Sequence, residues 1–298
     1  MIKKIDKIQK YTFIAVSFLS LVSFIGLGLS LLSDTQNYIL FILVSLVGIP
    51  HGFFDFSIGR KVFKEYFNAW FLVFITLYLA VSALYLTTWV FFPKESLIFF
   101  LMIAAYHFGY EDFNYLSKNK INYKNINIFI KGLIIVMAPI IFHYNEVREL
   151  FVILTNSDFR YYNFTQNNKI LFLVLSFTYI IFNKKSSLIN KAEDLMGIIN
   201  FILLPPIISF VLYFCFLHSI RHFIESILIL KHIPKKYSIK QFIFLIVMIS
   251  LVTSITSIIF FSNFYHMTIN ETIIKYIFMT LACLTLPHMI LNMWPKNN

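Results

Sequence analysis

Eight histidines are distributed over the 298 residues, and five of them lie inside long apolar runs: His51, His107, His218, His222 and His288. An ionisable side chain at such a position is costly, so it normally serves a site, a proton path or a polar cavity. Imidazole offers neutral nitrogen donors, which suit Fe, Cu, Zn or Ni. His218 and His222, in LHSIRHFIE, are four residues apart and share one face of a helix, one turn from each other. That spacing suits two ligands of one ion and equally two imidazoles bonded to different neighbours. His51 in GIPHGFFD and His107 in AAYHFGYED follow a common pattern of His, a nearby Gly, and a carboxylate four residues after the His. The carboxylates are Asp55 and Glu111, and Glu225 stands three residues after His222. Metal-bound imidazoles commonly donate their second N–H to a carboxylate, so Asp55, Glu111 and Glu225 are candidate outer partners. The plainer reading makes them helix caps or partners of Arg60 or Arg221. His288, in LTLPHMIL, is a candidate additional site residue, as a ligand, a hydrogen-bonding group or a polar wall. His143, His232 and His266 lie at a helix end or in loops and read as interfacial polar residues.

The elements that carry these residues must be apolar helices. Apolar residues make up 59% of the chain and charged ones only 13%, about half the ~25% of an ordinary soluble domain. Mean hydropathy is +0.76. This excludes a soluble globular domain, a disordered chain and a disulfide-stapled secreted module. The apolar stretches are long and continuous, which argues against a β-barrel. The expected fold class is all-α: a polytopic transmembrane helical bundle forming a single integral membrane domain over 1–298. A span takes about 20 apolar residues. About eight are expected, near 11–32, 38–58, 67–92, 95–116, 126–144, 168–183, 239–262 and 271–293. The segment 194–230 would be ~55 Å as one helix, too long for the ~30 Å core. It contains Pro205 and Pro206, so a broken or re-entrant helical hairpin is expected there.

The net charge of +11 sits between the apolar runs, where the positive-inside rule accounts for it and nucleic acid binding does not. Lys3, Lys4, Lys7 and Lys10 form a basic, cytoplasmic N-terminus over 1–10. Arg60, Lys61, Lys64, Lys118, Lys120, Lys124, Lys184, Lys185 and Lys191 fall on the same side, and Lys231, Lys235, Lys236 and Lys240 join them if the hairpin returns. The segment from Asn145 to Asn168 is expected to be a polar extracytoplasmic loop, with Tyr161 and Tyr162 at headgroup level. Cys215 and Cys283 lie in apolar runs and read as packing residues.

Counted by rise per residue, His51, His107, His218 and His222 come out ~14–20 Å from a span end. They share one depth near the midplane, which allows them to converge on a single metal. A carboxylate-bridged di-iron site would need Glu-x-x-His motifs, which the sequence lacks.

At these residues the chain resembles the Brp/Blh family of integral membrane β-carotene 15,15′-dioxygenases. The matching elements are GIPHGFFD at His51, YHFGYED at His107, HSIRH at His218 and His222, and LPHMIL at His288, in the family's order and covering about 38–293. The resemblance implies a non-haem Fe(II) enzyme of a bacterial cytoplasmic membrane. It would split the central double bond of β-carotene with O2 into two retinal molecules. Four histidines would hold the metal, which by motif are His51, His107, His218 and His222. It also implies a functional link to a retinal-binding opsin. A lipid-dissolved polyene entering from the bilayer into an aromatic-lined tunnel fits an apolar chain with 36 Phe. Two other classes compete: a transporter or channel with a His-lined path, and a b-type haem protein. A chaperone role in opsin assembly is a further option.

Overall fold

The apolar runs fold into helices that satisfy their own backbone polar groups, the condition for crossing a bilayer. The computed structural model describes residues 2–26, 33–114, 125–160, 163–182, 187–229 and 267–293, with isolated positions between 248 and 259. Among these residues there is no strand. The helices are α1 (Ile2–Leu21), α2 (Ser33–Leu43), α3 (Asp55–Phe63), α4 (Trp70–Phe91), α5 (Pro93–Asn114), α6 (Asn125–Phe142), α7 (Tyr144–Thr155), α8 (Gln166–Phe182), α9 (Leu188–Leu203), α10 (Pro206–Val211), α11 (Ile220–Ile229) and α12 (Ile269–Met293). Wider π turns continue α1 over Val22–Gly26, follow α2 over Val44–Gly48 and join α10 to α11 over Leu212–Ser219. A tighter 3-10 segment, Ile49–Phe54, leads into α3.

Four helical stretches are long and apolar enough to cross a membrane: Ile5–Gly26, Trp70–Phe91, Pro206–Ile224 and Ile269–Met293. The pair Ile128–Phe142 and Tyr144–Thr155, bent by 104°, makes a fifth if it is one broken span. Among the described residues this is four or five of the eight or so spans expected. The bilayer reading itself is carried by α4. Only Phe74, Tyr85 and Trp89 of α4 are buried, while Leu72, Leu79, Leu84, Val90 and Phe91 are at least 60% exposed. A helix apolar all round with so little of it covered needs lipid.

Three further expectations change. The segment after Asn145 is not a loop: Tyr144–Thr155 is α7, because Val147, Leu154 and their neighbours give it an apolar face buried on the bundle. The basic N-terminus is part of α1, and Lys10 is buried and paired with Asp6 at 2.9 Å. The expected span 38–58 is interrupted by the π and 3-10 turns around Pro50. The break near Pro205 is present, with α9 ending at Leu203 and α10 starting at Pro206; the return of Lys231, Lys235, Lys236 and Lys240 lies outside the described residues. So do Tyr161, Tyr162 and most of the expected span 239–262. Both cysteines are free thiols, and Cys215 is buried in the core.

The tightest packing in the bundle is where α5 crosses α6. A Cβ on Gly109 would stand 1.9 Å from the Ile128 carbonyl oxygen, and one on Gly132 would stand 1.5 Å from that of Ala105. Both contacts are with backbone, so no rotamer change relieves them. Small residues at a helix crossing let the backbones meet, and this crossing fixes the helix that carries His107. Gly109→Ala and Gly132→Ala are each expected to lower stability by about 1–3 kcal/mol or prevent accumulation. Gly197→Ala in α9, where an added Cβ meets nothing within 4 Å, should be neutral or slightly stabilising. Thermal unfolding of detergent-solubilised protein, followed by gel filtration, checks the contrast.

Candidate metal centre

Three helical segments bring four imidazoles together. His107 stands on α5, His218 in the π turn before α11, His222 on α11 and His288 on α12 after Pro287. All four are buried. Ring centroids lie 4.8 Å apart for His107 and His218, 5.2 Å for His107 and His288, and 4.8 Å for His222 and His288. The His218–His222 step along the helix closes the ring, and each member of that pair faces a different partner. The π turn widens the backbone where His218 leaves it, a distortion often found at functional sites. Phe108 meets the His218 ring edge-on at 4.9 Å, and Phe214 stacks on it at 5.6 Å. Phe214 in turn fills the space left by the missing side chain of Gly48.

Of the four histidines expected to hold a metal, the structure gathers His107, His218 and His222. His51 belongs to the 3-10 segment, but its side chain lies outside the described residues, as does that of Glu225. His288 completes the observed quartet. A carboxylate oxygen of Glu111 and one ring nitrogen each of His107 and His288 all lie within 4.8 Å of one another. Glu111 thus stands beside two imidazoles of the cluster. Asp55 reaches partners distant in sequence. Its Oδ1 is 2.7 Å from His288 Nδ1, 233 residues away in sequence, and its Oδ2 accepts a 2.8 Å hydrogen bond from the Tyr78 hydroxyl. Asn292 donates to His288 Nε2 at 2.9 Å. The Nδ1 proton of His288 therefore points at Asp55, and the tautomer is fixed. Sequence reasoning missed Asn292, although its position four residues after His288 places it on the same helix face. Tyr78, from another helix, left no signal.

A second group of ionisable side chains also went unforeseen. Arg221, between the two histidines of HSIRH, bonds Asp112 of α5 at 2.8 Å and Glu193 of α9. Lys131 of α6 bonds Asp194 at 3.1 Å and Asp112 at 3.4 Å. Both cations thus reach carboxylates distant in sequence. His143 stands at the bend between α6 and α7, with Nε2 bonded to the Ile202 carbonyl at 3.0 Å.

Two apolar cavities border the cluster. The larger, about 380 Å³, is lined by Ile49, Gly52, Phe56, Phe74, Ile75, Leu281, Leu284 and Thr285, and reaches Asp55, Tyr78 and His288. The smaller, about 120 Å³, is walled by Phe100, Phe108, Phe201, Phe210 and Phe278 among others. Apolar walls with a few convergent polar groups are typical of a small-molecule site.

The geometry is that of a helical membrane protein with a buried, histidine-rich candidate metal centre beside an apolar cavity. The chain belongs to the beta-carotene 15,15'-dioxygenase family, whose model matches residues 42–295. It is 33% identical over 263 residues to the beta-carotene 15,15'-dioxygenase of uncultured marine bacterium 66A03, covering 84% of this chain and 90% of that protein. No solved structure matches the chain.

If Asp55 orients His288, Asp55→Asn should lower metal affinity or activity by about 10–100-fold. Tyr78→Phe, which removes one bond to Asp55 and leaves its charge, should cost less. Metal content of the purified variants beside their turnover checks the order.

Proposed function

We propose that the chain cleaves β-carotene across its 15,15′ double bond with O2. One C=C bond breaks, two C=O bonds form, and both oxygen atoms end in two molecules of retinal. The observation that carries the reading is the imidazole cluster at the polar end of an apolar cavity, in a chain of this family. The donor set fits iron, since neutral nitrogens with one nearby carboxylate suit that metal. In this reading His51, His107, His218 and His222 hold Fe(II), with Glu111 and His288 at its border. Iron bound there would supply the redox chemistry that makes O2 reactive toward an alkene.

The chain's own residues do the rest. Ile49, Phe56, Phe74 and Leu281 take the polyene by burial, at roughly 25 cal/mol per Å² of apolar surface covered. Holding the reacting double bond in one place beside the cluster is the main contribution a site of this kind makes. Asp55 and Tyr78 hold His288 in one tautomer and orientation, and the surrounding Phe side chains keep water out. The substrate reaches the cavity from the bilayer of a bacterial cytoplasmic membrane, the N-terminus faces the cytoplasm, and retinal passes on to a retinal-binding opsin.

Expression in a β-carotene-producing bacterium tests this, with pigment and retinal measured by chromatography. Wild type should lose orange colour and accumulate retinal, and His218→Ala should abolish both changes. Undiminished β-carotene despite good membrane expression and added iron would contradict the proposal. Gly52→Leu tests the cavity separately. An added Cβ at Gly52 meets nothing within 4 Å, so the larger side chain should fold normally, fill the cavity and cut retinal formation at least tenfold while iron binding persists.

A further inference from the structure

Arg221 stands next to His222 and three residues after His218, yet its guanidinium is committed elsewhere. One arm bonds Asp112 at 2.8 Å and the other bonds Glu193. Asp112 lies on α5, five residues after His107 and next to Glu111. A single side chain on the segment carrying His218 and His222 is therefore tied to the helix carrying His107, and through Glu193 to α9. The side chains of all three are almost fully covered, that of Glu193 completely. Removing one partner from such a set leaves an uncompensated charge, so the tie resists sliding of one helix past the other.

The space beside these charges is about 30 Å³, room for two or three waters at roughly 10–15 Å³ each. It is far too small for a carotenoid. None of the three residues lines the larger apolar cavity. The network therefore touches neither the cluster's cavity nor a substrate-sized space, and its geometric effect is on register.

We infer that Arg221, with Asp112 and Glu193, is a positioning residue. It sets the register of the HSIRH turn against α5, and so the 4.8 Å spacing of His107 and His218. This rests on the metal reading given above. Arg221→Lys keeps the charge but replaces the planar fork, whose two nitrogens reach Asp112 and Glu193 separately, with a single point donor of different reach and geometry.

The test is anaerobic Fe(II) titration of monodisperse, detergent-solubilised protein, with kcat and KM for β-carotene measured beside it. Arg221→Lys and Asp112→Asn are expected to weaken iron binding 10–100-fold and to lower kcat, with KM changed less than twofold. Glu193→Gln keeps the shape of the bridge, and a smaller shift in the same direction is expected. It gives the reading if the other two variants do not accumulate. Trp89→Phe is the comparison: it breaks the 3.2 Å bond to the Leu154 carbonyl far from the network, and should lower the melting temperature without changing iron affinity. Variants of the network that lose stability alone and bind iron like wild type would overturn the positioning role. Wild type without stoichiometric iron would overturn the metal reading and this inference together.

Discussion

A polar or charged side chain inside an apolar helical bundle must find a partner there, because water is not at hand to solvate it. That constraint organises this molecule. Among the described residues, most of the buried charged and imidazole groups collect into two sets. One is the quartet of imidazoles with Glu111 and Asp55. The other is the cluster of Asp112, Lys131, Glu193, Asp194 and Arg221. The two sets share helices: α5 contributes His107 to one and Asp112 to the other, and the HSIRH turn contributes its histidines and Arg221 in the same way. The close crossing of α5 and α6 at Gly109 and Gly132 adds a third, uncharged constraint on the same helix.

The remainder of the site is held differently. His288 comes from α12, which joins the quartet through Asp55, Tyr78 and Asn292 and not through the five-charge cluster. The larger apolar cavity lies on this side, between α3, α4 and α12. Asp55, Tyr78 and His288 are where this polar frame meets the apolar walls. In the function proposed above, a carotenoid with no hydrogen-bonding handle would be placed by the shape of those walls. The reacting end of the cavity relies on directional bonds. Such a division lets the apolar walls vary with the substrate while the polar frame stays fixed.

Local patterns in the sequence carried the fold class and the candidate ligands. Apolar run length is a property of neighbours, so α4, α5, α6, α8 and α12 fall close to their expected bounds. The i, i+4 pair His218 and His222, and the carboxylates four residues after His51 and His107, were legible for the same reason. What the sequence did not carry was pairing at a distance. Asp112 and Arg221 are 109 residues apart and Asp55 and His288 are 233 apart, and no local spacing announces either. Asp55 was read with His51 because the helical repeat put them together. The structure shows its carboxylate bonded across to α12, and the His51 side chain lies outside the described residues. The helix α7 was missed because its first turn, Tyr144 to Glu149, is polar and hides the apolar face that follows. Fewer long apolar helices than eight stand among the described residues, where π and 3-10 turns around Pro50 and the bend at His143 interrupt runs that hydropathy reads as continuous.

The central claim is that imidazoles from separate helices share one iron ion. X-ray absorption at the iron edge, on purified protein reconstituted with Fe(II), tests it most directly. One iron per chain with nitrogen and oxygen neighbours, and the outer-shell scattering of several coordinated imidazole rings, is the result expected. Sulfur neighbours, a porphyrin signature, or a signal unchanged when His218 is replaced by alanine would contradict it.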